Sequence, residues 1–180
     1  MHQPIPEKIE TPRLMLRKPE LSDALDVFNI YACDAEAVTY MSWPRHTELA
    51  HSTQFVQFGV DLWAQSQCGP YLIIEKDSGV LMGSTGLEAE TQFRATTGYI
   101  LSKNQWGKGY ATETLRAIVD VARSAQFQRL YAYCHYQHRN SAHVMEKCGF
   151  EYEGLMRNHV EFPNLTPGSA CDVKLYAWTP

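Results

Sequence analysis

Two glycines in a short turn are the clearest chemical feature of this sequence. Gly107 and Gly109 stand in the run 105–113, between an alternating apolar stretch and an amphipathic one. That order predicts strand, turn and helix. Glycine lets the main chain take a positive φ and approach a ligand without a Cβ in the way. The amides of Gly109, Tyr110 and Ala111 would then be unpaired donors where the helix dipole favours an anion, so the turn is predicted to bind a phosphate.

Known phosphate-binding loops narrow this prediction. The sequence contains no Gly-x-x-x-x-Gly-Lys-Ser/Thr run, so it is not a P-loop. A dinucleotide fingerprint needs a third glycine, where this chain has Thr112, and an acidic end to the next strand, where it has Cys134. Lys108 either adds a positive charge or is a solvated loop lysine. Two glycines alone also fit a plain tight turn, so the assignment depends on a second segment.

The second segment is the run 138–150, His-Arg-Asn-Ser-Ala-His-Val-Met-Glu-Lys-Cys-Gly-Phe. Together with the run Trp-Gly-Lys-Gly-Tyr-Ala at 106–111, it resembles the GNAT superfamily of N-acetyltransferases. Within that superfamily it is similar to the branch that acetylates the N-termini of ribosomal proteins. Trp106 departs from the general family loop, which has Arg or Gln there, but matches this branch. The resemblance extends from about Thr11 to Trp178.

The resemblance implies an α/β (α+β) fold in one domain over residues 1–180. Its mixed, mostly antiparallel central sheet would be splayed in the middle and flanked by helices. The opening is expected between the strand that ends near Leu101 and the strand that starts near Leu130. Acetyl-CoA would lie in this opening, with its pyrophosphate on the amides of the glycine turn and its pantetheine amides along the edge of the first strand.

The resemblance therefore assigns coenzyme A binding to a strand edge, the glycine turn and the start of the next helix. The residues are Ile100, Leu101, Ser102, Trp106, Gly107, Lys108, Gly109, Tyr110, Ala111, Thr112 and Asn140. Asn140 would substitute for an asparagine that the family often has three residues before its motif serine. This chain has His138 at that position.

Acetyl transfer needs a neutral amine and a proton donor for the departing thiolate. Ser141 matches the family's motif serine, which is proposed to protonate that thiolate; the alternative is that it only caps the helix. Many relatives carry a glutamate where this chain has Thr96. Glu88 and then Glu90 and His138 are the remaining candidates for the general base, and each also fits a surface charge.

The acceptor follows in part from amine basicity. At pH 7 an α-amine of pKa about 8 is about one-tenth neutral, whereas a lysine amine of pKa about 10.4 is neutral about once in 2,500 molecules. A protein N-terminus is therefore the first choice, and a polyamine, amino acid or aminoglycoside the second. Thr96 favours a third reading, a coenzyme A-binding module without catalysis. The resemblance places Tyr40, Met41, Trp43 and His46 near the acceptor, although an aromatic core with a solvated histidine is the simpler explanation.

Composition excludes several other classes. A net charge of −4 argues against a nucleic-acid binder, which usually carries a basic face. Five cysteines without a Cys-x-x-Cys pair indicate free thiols in a reducing compartment. Because no signal-peptide core or long apolar run is present, the expected location is the cytoplasm, without a membrane partner. His135 and His138 lack a third ligand, so no metal is expected. A homodimer is left open.

Patterning also predicts the elements that position these residues. One strand is expected over 10–17, then a helix from Ser22 with Leu25, Phe28 and Tyr31 on one face, and a short helix over 34–40. Thr47 is expected to cap a helix that runs to Gln65. A hairpin over 70–87, a third strand over 97–102, a strand over 130–134 and closing strands over 152–159 and 172–178 complete the sheet. Gly149 is expected to end the helix that Asn140 or Ser141 begins.

Overall fold

The structure, a computed structural model, describes residues 4–180. Within these residues the strands are β1 (Lys8–Glu10), β2 (Leu14–Arg17), β3 (Gly69–Glu75), β4 (Leu81–Ala89), β5 (Arg94–Leu101), β6 (Arg129–His135), β7 (Glu151–Glu161) and β8 (Ala170–Trp178). They form one sheet in the order β1-β2-β3-β4-β5-β6-β8-β7. Neighbouring strands are antiparallel except β5 and β6. The predicted mixed, mostly antiparallel sheet is confirmed.

Helices cover both faces of this sheet. They are α1 (Ala24–Val27), which lies in a helical run over 21–32, α2 (Leu49–Ser66), α3 (Tyr110–Ser124) and α4 (Arg139–Lys147). One core cluster joins Leu101 of β5 to α3 and α4, and a second joins Ile100 to α1 and α2. Because successive strand residues point to opposite faces, β5 belongs to both cores.

Helix α3 forms where the periodicity predicted it. Leu115, Ile118 and Ala122 are completely buried on its inner face, whereas Arg116 and Arg123 on the other side are exposed. The spacings of three and four residues put these buried side chains on one stripe. This packing fixes the start of α3, and therefore the glycine turn, against the sheet.

The N-terminal strand prediction was wrong in one respect. Residues 10–17 do not form one strand, because the chain turns at 11–13 and β1 pairs back on β2. The amide of Thr11 donates to the carbonyl oxygen of Leu14 at 2.9 Å and closes this turn. Pro12 lacks an amide hydrogen, so it fits a turn better than a strand interior. The turn also brings Arg13 toward the glycine turn.

Four helix predictions also need correction. Residues 34–40 form turns rather than a helix. Leu25 is 53% exposed, because the run 21–32 buries Val27 together with the predicted Tyr31. Helix α2 begins after Glu48 rather than Thr47. In α4 the N-cap is His138, which puts Ser141 inside the first turn. The predicted end of α4 is confirmed, since Gly149 follows it with a φ of 83°.

Candidate active site

The sheet opens between its two parallel strands. β5 and β6 share only three residue pairs, from Arg94 with Arg129 to Thr96 with Tyr131. The hydroxyl of Thr96 donates to the carbonyl oxygen of Tyr131 at 3.3 Å and ends the paired part. Beyond it, β6 continues to pair with β8 on its other side. The predicted opening is therefore present, and it starts directly after Thr96.

The glycine turn lies at the end of β5 and leads into α3. Gly107 and Gly109 have φ values of 74° and 82°, which glycine adopts without steric cost. Within residues 4–180, the main-chain amides of 107–112 have no hydrogen-bond acceptor, and Glu113 is the next amide to find one, on Gly109. These amides are available donors at the positive end of a helix, the arrangement that binds phosphates.

Glu113 ties the glycine turn to the N-terminal hairpin. Its carboxylate accepts hydrogen bonds from the Thr11 hydroxyl at 2.6 Å, the Arg13 amide at 2.9 Å and Arg13 Nε at 2.6 Å. Arg13 also donates to the carbonyl oxygen of Lys108 and lies over the ring of Tyr110. Burial acts to raise the pKa of Glu113, but these hydrogen bonds hold it below its ordinary value. The charged carboxylate is thus neutralised locally by Arg13.

Two cavities meet at the opening. The acceptor-side cavity, of about 370 Å³, lies between β4, β5, α2 and residues 40–43. The loop-side cavity, of about 410 Å³, lies between the end of β5, the glycine turn and α4. Residues that line both are Met41, Tyr99, Ile100, His138 and Ser141. We call these five residues the junction, because ligands that occupy the two cavities would meet there.

The loop-side cavity fits a phosphorylated ligand. No described carboxylate lines it, whereas Lys147 does. Nine of the eleven predicted coenzyme A residues line it. These are Ile100, Leu101, Trp106, Gly107, Gly109, Tyr110, Ala111, Thr112 and Asn140. These residues would hold the pyrophosphate of coenzyme A on their main-chain amides. Their role in binding stays a prediction.

Two predicted coenzyme A residues lie outside this cavity. Ser102 donates its amide to the carbonyl oxygen of Met82 at 2.8 Å, on the β4 side. Since main-chain groups alternate along a strand, Ile100 also faces β4 and only Leu101 faces the opening. The Leu101 carbonyl already accepts the indole N–H of Trp106 at 2.9 Å. The prediction that the main chain of Ile100 and Ser102 forms a free strand edge is therefore wrong, because both residues face β4.

Lys108 is the other residue outside the loop-side cavity. Its ammonium donates to Gln105 Oε1 at 3.1 Å, and its side chain is exposed. The solvated-lysine alternative fits this position. The neighbouring cation that the sequence argument missed is Arg13, which lies 100 residues from its partner Glu113 along the chain.

Ser141 lies at the junction against Tyr99. The phenol oxygen of Tyr99 lies 3.0 Å from Ser141 Oγ and 3.1 Å from the Ser141 carbonyl oxygen. Burial raises the pKa of Tyr99 well above its usual value, so the phenol stays protonated and can donate. Because Ser141 is not the helix cap, the capping alternative does not explain it. The pair provides two hydroxyl groups at the junction.

His138 is a weak base in this position. Its ring stacks on Tyr40, with centroids 4.3 Å apart, and its main chain caps α4. Burial, with a smaller contribution from His135, lowers the pKa of His138 to about 4. The imidazole is therefore neutral at pH 7. Accepting a proton from an α-ammonium of pKa about 8 would cost roughly 5 kcal/mol, so His138 does not suit the predicted role of general base.

Glu88 lies directly across the β4–β5 pair from Thr96. Residues opposite each other in a sheet share a face, and both line the acceptor-side cavity. Glu88 is the only carboxylate among the described residues around either cavity. Glu90 lines neither cavity, and its carboxylate is held by Arg94 at 2.6 Å and by the Tyr131 hydroxyl. Glu88 therefore remains a candidate for the general base, whereas Glu90 does not.

The acceptor-side wall, residues 38–45, contains three of the four residues that were predicted to lie near the acceptor. Tyr40, Met41 and Trp43 line the cavity as predicted, but His46 does not. His46 instead bonds through Nδ1 to the hydroxyl of Ser52 at 2.7 Å, and burial lowers its pKa. The prediction that His46 contacts substrate is therefore not supported, because its ring is hydrogen-bonded to Ser52 instead.

Asn164, in the loop between β7 and β8, fastens this wall. Its Nδ2 donates to the carbonyl oxygens of Val38 and Trp43, both at 2.9 Å, and its Oδ1 accepts from the amide of Arg45 at 2.8 Å. The wall over 38–45 has no regular secondary structure, so these bonds replace a ladder or helix. Sequence reasoning missed Asn164, because a loop asparagine ordinarily indicates only a turn.

No helix within residues 4–180 is both long and apolar enough to cross a membrane.

Comparison with known proteins shows which family the chain resembles. The acetyltransferase (GNAT) domain family matches residues 13–151. An uncharacterized N-acetyltransferase, p20, from Bacillus licheniformis is 33% identical over 156 residues, which cover 85% of this chain and 87% of that protein.

Solved structures share the fold. The microcin C7 self-immunity acetyltransferase MccE, in complex with acetyl-CoA and AMP, superposes with a TM-score of 0.86 at 19% identity over 97% of both chains. An acetyltransferase from Salmonella typhimurium, which modifies the N-terminal serine of ribosomal subunit protein L7/L12, gives a TM-score of 0.81 at 22% identity over 98% of both chains.

Proposed function

The chain belongs to the GNAT family of N-acetyltransferases, whose acetyl donor is acetyl-CoA, and we propose that its acceptor is an α-amine, with a protein N-terminus as the first choice. The observation that carries this proposal is the lack of a strong base at the junction. The pKa of His138 is about 4, and Thr96 stands where the family resemblance implies a glutamate. An acceptor that is already partly neutral at pH 7 suits such a site.

Each cavity has a separate role in this proposal. The loop-side cavity holds coenzyme A through the free amides of the glycine turn, and the acceptor-side cavity holds the amine. The amine nitrogen forms a bond to the acetyl carbon as the carbon–sulfur bond breaks, and the amine gives up a proton to water. Ser141, hydrogen-bonded to Tyr99, donates a proton to the departing sulfur and recovers one from solvent.

Glu88 holds the ammonium form of the acceptor before transfer. It supplies one negative charge to a cavity whose other lining groups are uncharged. A carboxylate near a cationic substrate raises its local concentration and orients it. This role needs no shifted basicity and agrees with an amine that deprotonates to solvent.

The test compares two amines in one peptide background. We expect faster thiol release from acetyl-CoA with a tripeptide bearing a free α-amine than with its Nα-blocked lysine counterpart. The difference should be about 250-fold at pH 7, following the neutral fractions of the two amines. Equal rates, or a preference for the lysine side chain, would contradict the proposal. Turnover should rise with pH up to about 8 as the α-amine loses its proton.

We further propose that the protein is cytoplasmic and that it has no nucleic-acid partner. All five cysteines are free thiols, which supports a reducing compartment. The net charge of −4 gives no support to a nucleic-acid partner. A homodimer stays a prediction, to be tested by light scattering of the purified chain.

A further inference from the structure

Aromatic side chains from outside the sheet line part of the acceptor-side cavity. They come from the irregular wall, from α2 and from the β7–β8 loop: Tyr40, Trp43, Phe55, Phe58 and Phe162. We call these five residues the aromatic set. A cluster of this kind adjacent to a reaction site is the usual composition of a pocket that binds an apolar group.

Helix α2 presents one continuous apolar stripe to this cavity. Phe55, Phe58 and Leu62 are spaced by three and four residues, which puts them on the same helix face, and all three line the cavity. Phe58 is 60% exposed. Leaving a large aromatic ring in contact with water is unfavourable relative to burying it. A ligand that covers it would therefore gain free energy.

The charge of the cavity selects against multiply charged amines. Glu88 is its only carboxylate among the described residues, and His138 is neutral at pH 7. A polyamine or an aminoglycoside would bring several ammonium groups, and buried charges without partners are costly. One carboxylate matches a single ammonium.

Size gives a third constraint. The cavity volume of about 370 Å³ lies at the small end of the range of about 300–1,000 Å³ for ligand sites. It suits a group of amino-acid size better than a molecule of several rings. The cavity also reaches the junction through Tyr99 and Ser141, so a group seated in it can place its amine there.

We propose that the acceptor is an α-amine with an aromatic or large branched apolar group on the same carbon, and that the aromatic set binds this group. This inference rests on the function proposed above and names the substrate class of the same site. It also separates the chain from a structural neighbour that modifies an N-terminal serine.

The first experiment is a kinetic series with the full chain and acetyl-CoA. Tripeptides that differ only in their first residue (Phe, Leu, Ala or Ser), together with spermidine, are compared by thiol release. We expect kcat/KM to be about 10- to 100-fold higher for Phe or Leu than for Ser. A parallel arm uses the amides of free phenylalanine and alanine, which distinguishes a peptide source of the amine from a small-molecule source.

A matched pair of variants tests the aromatic set directly. Phe58→Ala should lower the Phe-to-Ser preference about 5- to 10-fold and leave acetyl-CoA affinity unchanged. Phe93→Ala is the control, because Phe93 is 50% exposed and lines neither cavity. It should leave the preference as it is.

The outcomes separate the two proposals. Equal or better use of the Ser peptide or spermidine, or an unchanged preference in Phe58→Ala, would overturn the aromatic specificity while leaving α-amine acetylation intact. Binding of acetyl-CoA without turnover on any amine would instead remove the proposed function, and this specificity with it.

Discussion

The loop-side and acceptor-side cavities are formed by different kinds of chemical group. Main-chain amides over 107–112 and two glycines with positive φ form much of the loop side. Side chains from residues 40–58, from β4 and from Phe162 form the acceptor side. In the proposed function, the first would recognise a diphosphate through groups that every residue carries, whereas the second would recognise its ligand through side-chain chemistry.

This difference teaches where specificity can change. We expect substitutions in the aromatic set to alter the preferred acceptor without moving the donor site, because the cavities share only the junction. Substitutions of Gly107 or Gly109 change the backbone on which the donor site depends. Four measurements test this division, from the largest expected effect to the smallest.

Gly109→Asp should weaken coenzyme A binding by at least 100-fold. The substitution adds a carboxylate to the turn that would hold the pyrophosphate, and its Cβ, 3.5 Å from Arg13 Nη2, is strained at a φ of 82°. Isothermal titration calorimetry measures the change. Gly79→Asp is the matched control, because Gly79 also has a positive φ, of 71°, and an added Cβ there meets no atom within 4 Å. A change below about threefold for Gly109→Asp would remove the assignment of the glycine turn.

Ser141→Ala should lower kcat about 100-fold, in the range of general acid catalysis, and leave coenzyme A affinity within about twofold. The reason is the loss of the hydroxyl that lies 3.0 Å from Tyr99 Oη at the junction. Stopped-flow detection of thiol release gives kcat. Ser124→Ala, at the exposed end of α3, controls for the substitution itself. An unchanged kcat would leave Ser141 with a structural role only.

His138 should make the chain less stable in acid. Its pKa is about 4 when folded and about 6.5 when unfolded, so the unfolded chain binds more protons between these values. This stability is present above pH 6.5 and is lost as the pH falls toward 4, by up to about 2.5 kcal/mol at pH 4.5.

Urea unfolding at pH 7 and pH 4.5 measures this loss, and His138→Gln should reduce it. His135 is a second contributor, because burial lowers its pKa as well. The same pH dependence in the variant and the parent would contradict the assignment to His138.

Asn164→Ala should raise the KM for the acceptor about tenfold, with kcat changed less than about threefold. Its side chain makes three hydrogen bonds to the wall over 38–45, each with a net worth of about 0.5–1.5 kcal/mol. Asn104→Ala is the control, since Asn104 is exposed and lines neither cavity. A weaker affinity for coenzyme A in Asn164→Ala would show that the two sides are not independent.

Much of the donor side was predictable because its signals are local. Gly107 and Gly109 permit a backbone that other residues rarely adopt, and the stripe of Leu115 and Ile118 fixes the helix that follows. Gly149 ended α4 as expected. The opening of the sheet after Thr96 was predicted by resemblance to a family rather than by periodicity.

The acceptor side was predictable only in part. Tyr40, Met41 and Trp43 were placed correctly, but the contributions of α2 and of Phe162 were not foreseen. Ser141 shows the same limit, since its helix was predicted whereas its partner Tyr99 was not. Phe55 and Phe58 have the spacing of an ordinary core stripe, so nothing in their pattern indicates a binding cavity.

The sequence by itself determined the segments whose conformation follows from neighbouring residues: the glycine turn, α3, the end of α4 and most strands. The tertiary structure alone decided which side chains meet across long separations, such as Asn164 with Val38, Glu113 with Arg13 and Tyr99 with Ser141. The physical reason is that backbone preferences act over a few residues, whereas a cavity is made by packing segments whose separation along the chain carries no record of their contact.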